Sequence, residues 1–175
     1  MQEVELTTEY KEFSSHYEGE SDRAVVLLAS SYLDETLALL LSKRLVPCKR
    51  TKALFSGYAP LATFSARIDI AFAVGIIPKH LSNDLHIIKK LRNLCAHKAD
   101  KLEFSSDDIK KLCDNLSHSH GLPRTDGSTG NKVKDARAIF LNTIFFCNLH
   151  MGSQLPRIQT LQAPKHQWKE VVGEE

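Results

Sequence analysis

The stretch Leu81 to His97, LSNDLHIIKKLRNLCAH, repeats its apolar residues Leu81, Leu85, Ile88, Leu91 and Cys95 at three- and four-residue steps. In a helix that spacing lays them along one stripe, whereas a strand would scatter them over both faces. The same period recurs along the chain. From Ala24 to Leu45 a wide apolar set, Val25, Leu28, Ala29, Tyr32, Leu33, Leu37, Leu40 and Leu41, predicts a long core helix. Ser21 is placed to cap it, Asp22 suits its first turn, and Pro47 ends it. Leu61 to Val74 aligns Leu61, Phe64, Ile68, Ala71 and Phe72, with Gly75 as C-cap and Pro78 starting the next helix. Tyr10, Phe13 and Tyr17 predict a leading helix over residues 7–17 that lids the core. Ser105 and Asp108 have the form of a capping box ahead of a helix from Asp107 to Leu116 that buries Ile109, Leu112, Cys113 and Leu116. Val133 to Met151 is the last helix, with Val133, Ala136, Phe140, Ile144 and Leu149 aligned. No β-alternating segment and no solenoid repeat is present, so the fold class is all-α, a compact bundle of five or six helices in a single domain. Residues 1–152 form that domain, and 153–175, with Pro156 and Pro164, form an extended or disordered tail that Trp168 docks.

A chain of 175 residues with 42% hydrophobic and 25% charged side chains has enough material for one core. Its formal net charge of +2 makes the overall field weak and excludes a histone-like role, so any nucleic-acid attraction must be local. The N-terminus MQEVELTTEYKEF is acidic and has no signal-peptide pattern. The run Ile68 to Ile77, interrupted by Asp69, falls short of the ~20 residues of a membrane span. A cytoplasmic protein without membrane attachment is expected. Cys95, Cys113 and Cys147 fall at apolar-phase helical positions, and the four cysteines, Cys48 included, show no CxxC spacing, so reduced thiols are expected. His118 and His120, with Cys113 and Asp114 upstream, sit in a Gly-rich loop without zinc-type spacing, so no metal is assigned. No Walker loop, GxSxG or GxGxxG is present, and no cofactor is expected.

Chemistry concentrates at the end of the Leu81–His97 helix, where Arg92, Asn93 and His97 lie within six residues. Asn93 stands four residues before His97 and can orient its imidazole. The segment resembles the motif of HEPN domains, an all-α family that includes metal-independent ribonucleases. That resemblance implies His97 as general acid or base on an RNA 2′-hydroxyl, Arg92 stabilising the phosphorane and Asn93 positioning one of them. Arg92 and His97 are about 140° apart on an ideal helix, so this chemistry calls for a helix end or a second subunit. The structural alternative pairs Arg92 with a carboxylate and leaves His97 at a helix C-terminus, where cations are favoured. Lys49, Arg50 and Lys52 in the 47–60 connector, with Lys89 and Lys90, are a candidate basic patch for an acidic partner, set against plain solvated charge. Asp34 and Arg67 fall inside strongly apolar helices and are expected to form interhelical ion pairs, Arg67 with Asp34 or Glu35.

A second resemblance covers more of the chain. Ser21-Asp22-Arg23-Ala24, Tyr32-Leu33-Asp34-Glu35, Pro60-Leu61, Phe64 to Ile68, Ala71 to Ile77 and Arg92 to His97 together resemble the MltR family, named for the mannitol operon repressor. The match spans about residues 13–118, and FSARI followed by VGII is its most specific part. It implies an all-helical transcriptional regulator without a DNA-binding module of its own, acting through a protein partner. Ala71 and Gly75 have helix-turn-helix spacing, but the following helix spends Leu85, Ile88 and Leu91 on a core stripe, which argues against direct DNA readout. The reading is therefore an MltR-like regulatory protein, with a protein partner and a homodimer expected. A HEPN-like endoribonuclease using Arg92, Asn93 and His97, with RNA as substrate, is the alternative.

Overall fold

The computed structural model describes residues 2–97, 103–117 and 135–164, with the side chains of residues 2–7 and of His97 outside that description. It is all-helical: α1 (Gln2–Ser15), α2 (Asp22–Arg44), α3 (Lys49–Ala53), α4 (Phe64–Ala73), α5 (Lys79–His97), α6 (Asp107–Asp114) and α7 (Ala136–Gln154). The seventh helix beyond the expected five or six is α3, a five-residue piece in the stretch read as a connector, where the Cys48 thiol accepts from the Thr51 amide.

Helix α2 is the axis of the bundle, packed against α4, α5 and α7. By length and composition it could cross a membrane, yet Val25, Val26, Ala29, Leu33, Leu37, Leu40 and Leu41 are fully buried in the core. The same core takes Ile68 and Ala71 of α4, Leu85, Ile88, Leu91 and Cys95 of α5, and Ile139, Phe140 and Ile144 of α7. At roughly 1.5–3 kcal/mol for each fully buried large apolar side chain, this face is what holds the helices together. Ser21 caps α2 as expected, its hydroxyl accepting from Ala24.

Other boundaries moved. Helix α4 begins at Phe64, because the Thr63 hydroxyl takes the Ala66 amide. It ends in a Schellman motif: Gly75 (φ +72°) donates to the Phe72 carbonyl and Ile76 to the Ala71 carbonyl. Pro78 accepts from the Ser82 amide at the entry to α5. The predicted capping box at Ser105 does not form. The N-cap is Ser106, whose hydroxyl donates to the Glu103 carbonyl, while the Ser105 hydroxyl turns to the Glu103 carboxylate. Helix α7 starts at Ala136, capped by Asp135, so the predicted start at Val133 lies outside the described residues. It continues to Gln154, and residues 155–157 form a turn in which Arg157 and Ile158 donate to the Gln154 carbonyl before the chain is anchored on α2. Leu161 donates to the Arg44 carbonyl, Thr160 to the Lys43 carbonyl, and Arg44 to the Gln159 carbonyl. His118, His120 and Trp168 lie outside the described residues.

Four residues expected to face the core do not. Leu28 and Tyr32 on α2, Phe72 on α4 and Leu149 on α7 are exposed. Each continues an apolar stripe past the width the neighbouring helices can cover.

Candidate functional site

Helices α2, α4 and α5 meet around one carboxylate. Asp34 Oδ1 accepts from Arg67 at 2.6 Å and Oδ2 from Arg92 at 3.2 Å. The Asp34 and Arg67 side chains are 14% and 13% exposed, so both charges are largely removed from water and each needs the other. Arg67 uses its remaining donors on backbone, giving Nε to the Leu61 carbonyl at 2.8 Å and a terminal nitrogen to the Phe55 carbonyl at 3.4 Å. It thereby pins the connector between α3 and α4 to the bundle, with its guanidinium 6.0 Å from the Phe55 ring. Arg92 lies at the same distance from Phe64, and it is 34% exposed.

This accounts for part of the hexapeptide. Arg92 turns inward to Asp34, and Asn93, one step round the helix, is exposed. His97 is the last residue of α5, and its side chain lies outside the described residues. The proposed basic residues divide. Lys49, Arg50 and Lys52 are exposed on α3, Lys90 is exposed on α5, and half-buried Lys89 donates to the Ser65 hydroxyl at 3.2 Å. Asp69 meets His86 across 3.0 Å at the surface. Among the described residues there is no cluster of His, Cys, Asp and Glu suited to a metal ion.

A second carboxylate on α2 has the same kind of duty. Asp22 accepts from Arg137 at 2.6 Å and from the Phe104 amide at 2.8 Å, while Arg137 also reaches the Tyr17 and Glu20 carbonyls. The α1–α2 turn, the approach to α6 and the start of α7 are thus tied to one point. Asp84 on α5 is different: Oδ1 accepts from both the amide and the hydroxyl of Ser117, and buried Oδ2 has no partner among the described residues. Burial pushes its carboxyl up from the ordinary aspartate range, partly offset by the Ser117 bonds.

Two surface features complete the picture. On α2, Leu28, Tyr32 and Leu39 are 54%, 56% and 47% exposed. Residues 28, 32 and 39 fall within about 40° of one another on an ideal helix and span about 16 Å, so they form one apolar stripe, with exposed Glu35 set between Tyr32 and Leu39. Beside it, a groove of about 690 Å³ opens between α1, α2 and α7, walled by Phe13, Tyr17, Tyr32, Phe145 and Leu149. Aromatic contacts hold α1 there: Tyr10 meets Phe145 edge-on at 5.3 Å, and Phe13 lies 5.5 Å from the same ring. The sequence signalled the aromatic spacing of α1, but not the groove it makes with α7.

The model of the family described as "Mannitol repressor" (MtlR) matches residues 48–157, which run from the Cys48 cap of α3 through all of α7. The chain belongs to the MtlR family. No curated protein matches it. Among solved structures, the MtlR chain is similar to one in the X-ray structure of the MtlR-HPr complex from Escherichia coli, with a TM-score of 0.61 and 17% sequence identity. The match covers 83% of this chain and 97% of that one, so the two share a fold over nearly the whole described bundle.

Proposed function

We propose that this MtlR chain is a cytoplasmic regulator of transcription that works by docking a protein of the HPr kind, without reading DNA itself. The observation that carries this reading is the Leu28–Tyr32–Leu39 stripe. Three large apolar side chains aligned on the outside of the central core helix are costly to leave wet and suit a protein contact. The similarity to a chain of an MtlR-HPr complex supplies the class of partner. The inward use of Leu81, Leu85, Ile88 and Leu91 on α5, and the burial of Ala71, support a regulator that does not enter the major groove. The buried, reduced thiols Cys95, Cys113 and Cys147 support a cytoplasmic setting.

For the ribonuclease alternative, Arg92 is engaged by Asp34 and Asn93 is exposed, while the His97 side chain lies outside the described residues. The test is titration of purified HPr into the wild-type protein and into Leu28→Glu and Leu39→Glu. Both positions are solvent-exposed, so the fold tolerates the change. Binding by wild type and its loss in both variants is the expected result. A dimer in sedimentation that the same variants dissolve, with no HPr binding, would assign the stripe to a second copy of the chain.

A further inference from the structure

We infer that the groove between α1, α2 and α7 is a binding site for a small organic amine, an ammonium group carried on an aromatic or branched apolar body. Its volume of about 690 Å³ falls within the range of small-ligand sites. Its walls are Phe13, Tyr17, Tyr32, Phe145 and Leu149, four of them rings whose faces carry the negative potential that attracts a cation. Glu9 and Glu12 on α1 contribute carboxylates, and no lysine or arginine is among the described lining residues.

The remaining polar groups include a buried acceptor beside the Tyr17 and Tyr32 hydroxyls. Asn148 lines the groove, and its Oδ1 is buried without a hydrogen-bond partner among the described residues. An unpaired buried acceptor is costly, and an N–H from an occupant removes that cost. His16 Nδ1 lies 2.8 Å from the Glu12 carbonyl and donates to it. Two carboxylates and an orphan amide oxygen beside aromatic walls fit an occupant that carries N–H donors and positive charge. A carboxylate ligand of the same size would face like charge from Glu9 and Glu12. The site adjoins the α2 stripe of the HPr reading and shares Tyr32 with it.

The test uses three isosteric probes, phenethylammonium, 2-phenylethanol and 3-phenylpropionate, titrated into the full chain and followed by calorimetry and by backbone amide NMR shifts. Phenethylammonium is expected to bind at least about tenfold more tightly than 3-phenylpropionate, with the neutral alcohol between them. Shifts should concentrate in residues 9–17 and 145–153. Leu149→Trp, at an exposed position on the groove wall, should abolish binding while leaving the circular dichroism unchanged, and the double variant Glu9→Gln/Glu12→Gln should erase the preference for the cation. Equal affinity for the anion, shifts mapping elsewhere, or no binding of phenethylammonium would overturn the assignment. Because Leu149, Glu9 and Glu12 lie off the α2 stripe, HPr binding measured on the same variants separates failure of this site from failure of the partner reading.

Discussion

Arg92 and Asp34 stand 58 residues apart in sequence and meet at 3.2 Å, on the carboxylate that already holds Arg67 at 2.6 Å. One acid therefore answers two guanidiniums, and the arginine that most resembles a catalytic group is part of the joint between α2, α4 and α5. Asp34→Ala should cost roughly 3–5 kcal/mol, because it strands buried Arg67 as well as Arg92. Arg92→Ala, at a position one-third exposed, should cost about 1 kcal/mol or less. Urea denaturation of the two variants measures the difference. Equal losses would mean that Asp34 and Arg67 are not the pair that matters.

Metal-free incubation with labelled RNA is expected to give the same background for wild type, Arg92→Ala and His97→Ala, with folding of each checked by circular dichroism. Cleavage by wild type that disappears in both folded variants would restore the ribonuclease reading and make the Asp34 contact a resting arrangement of a catalytic arginine.

Asp84 gives a pH signature. Its folded carboxyl is raised, so the unfolded chain releases this proton first as pH rises from about 4. Between the ordinary value and the raised one the folded state binds more protons, and this group's contribution to stability falls with increasing pH, staying low above that window. Asp84→Asn retains an acceptor for Ser117 and removes the charge. The melting temperature of the variant relative to wild type should therefore climb as pH rises above about 4. A constant difference would show that Asp84 does not titrate differently in the fold.

The thiols should separate by reactivity. Cys48 is exposed, and its hydrogen bonds with the Thr51 side chain and from the Thr51 amide lower its pKa. Cys113 is pushed up to about 12 by burial and the neighbouring Asp114, and Cys147 is raised well above the usual value by full burial. Iodoacetamide under native conditions should label Cys48 first, as read by mass spectrometry of peptides. Labelling of Cys147 at a comparable rate would indicate that α7 opens readily.

The helices were legible because three- and four-residue spacing is a local property, and so were caps such as Ser21 and Gly75. The Arg67–Asp34 pair could be anticipated, since a charge inside an apolar helix needs a partner. Arg92 could not be assigned to that carboxylate, because the fold alone decides which of several acids comes within reach. Leu28, Tyr32 and Leu149 show the other limit. A stripe of apolar residues looks the same whether the bundle or a partner covers it. The Phe13–Phe145 contact joins the two ends of the chain, so the groove beside it has no trace in any single segment.

The most direct test of the regulatory account is calorimetric titration of purified HPr into this protein and into Leu28→Glu. Saturable binding by wild type that disappears in the folded variant is the predicted result. Undiminished HPr binding by Leu28→Glu would contradict the assignment of the α2 stripe, and no binding by wild type would contradict the proposed mode of action itself.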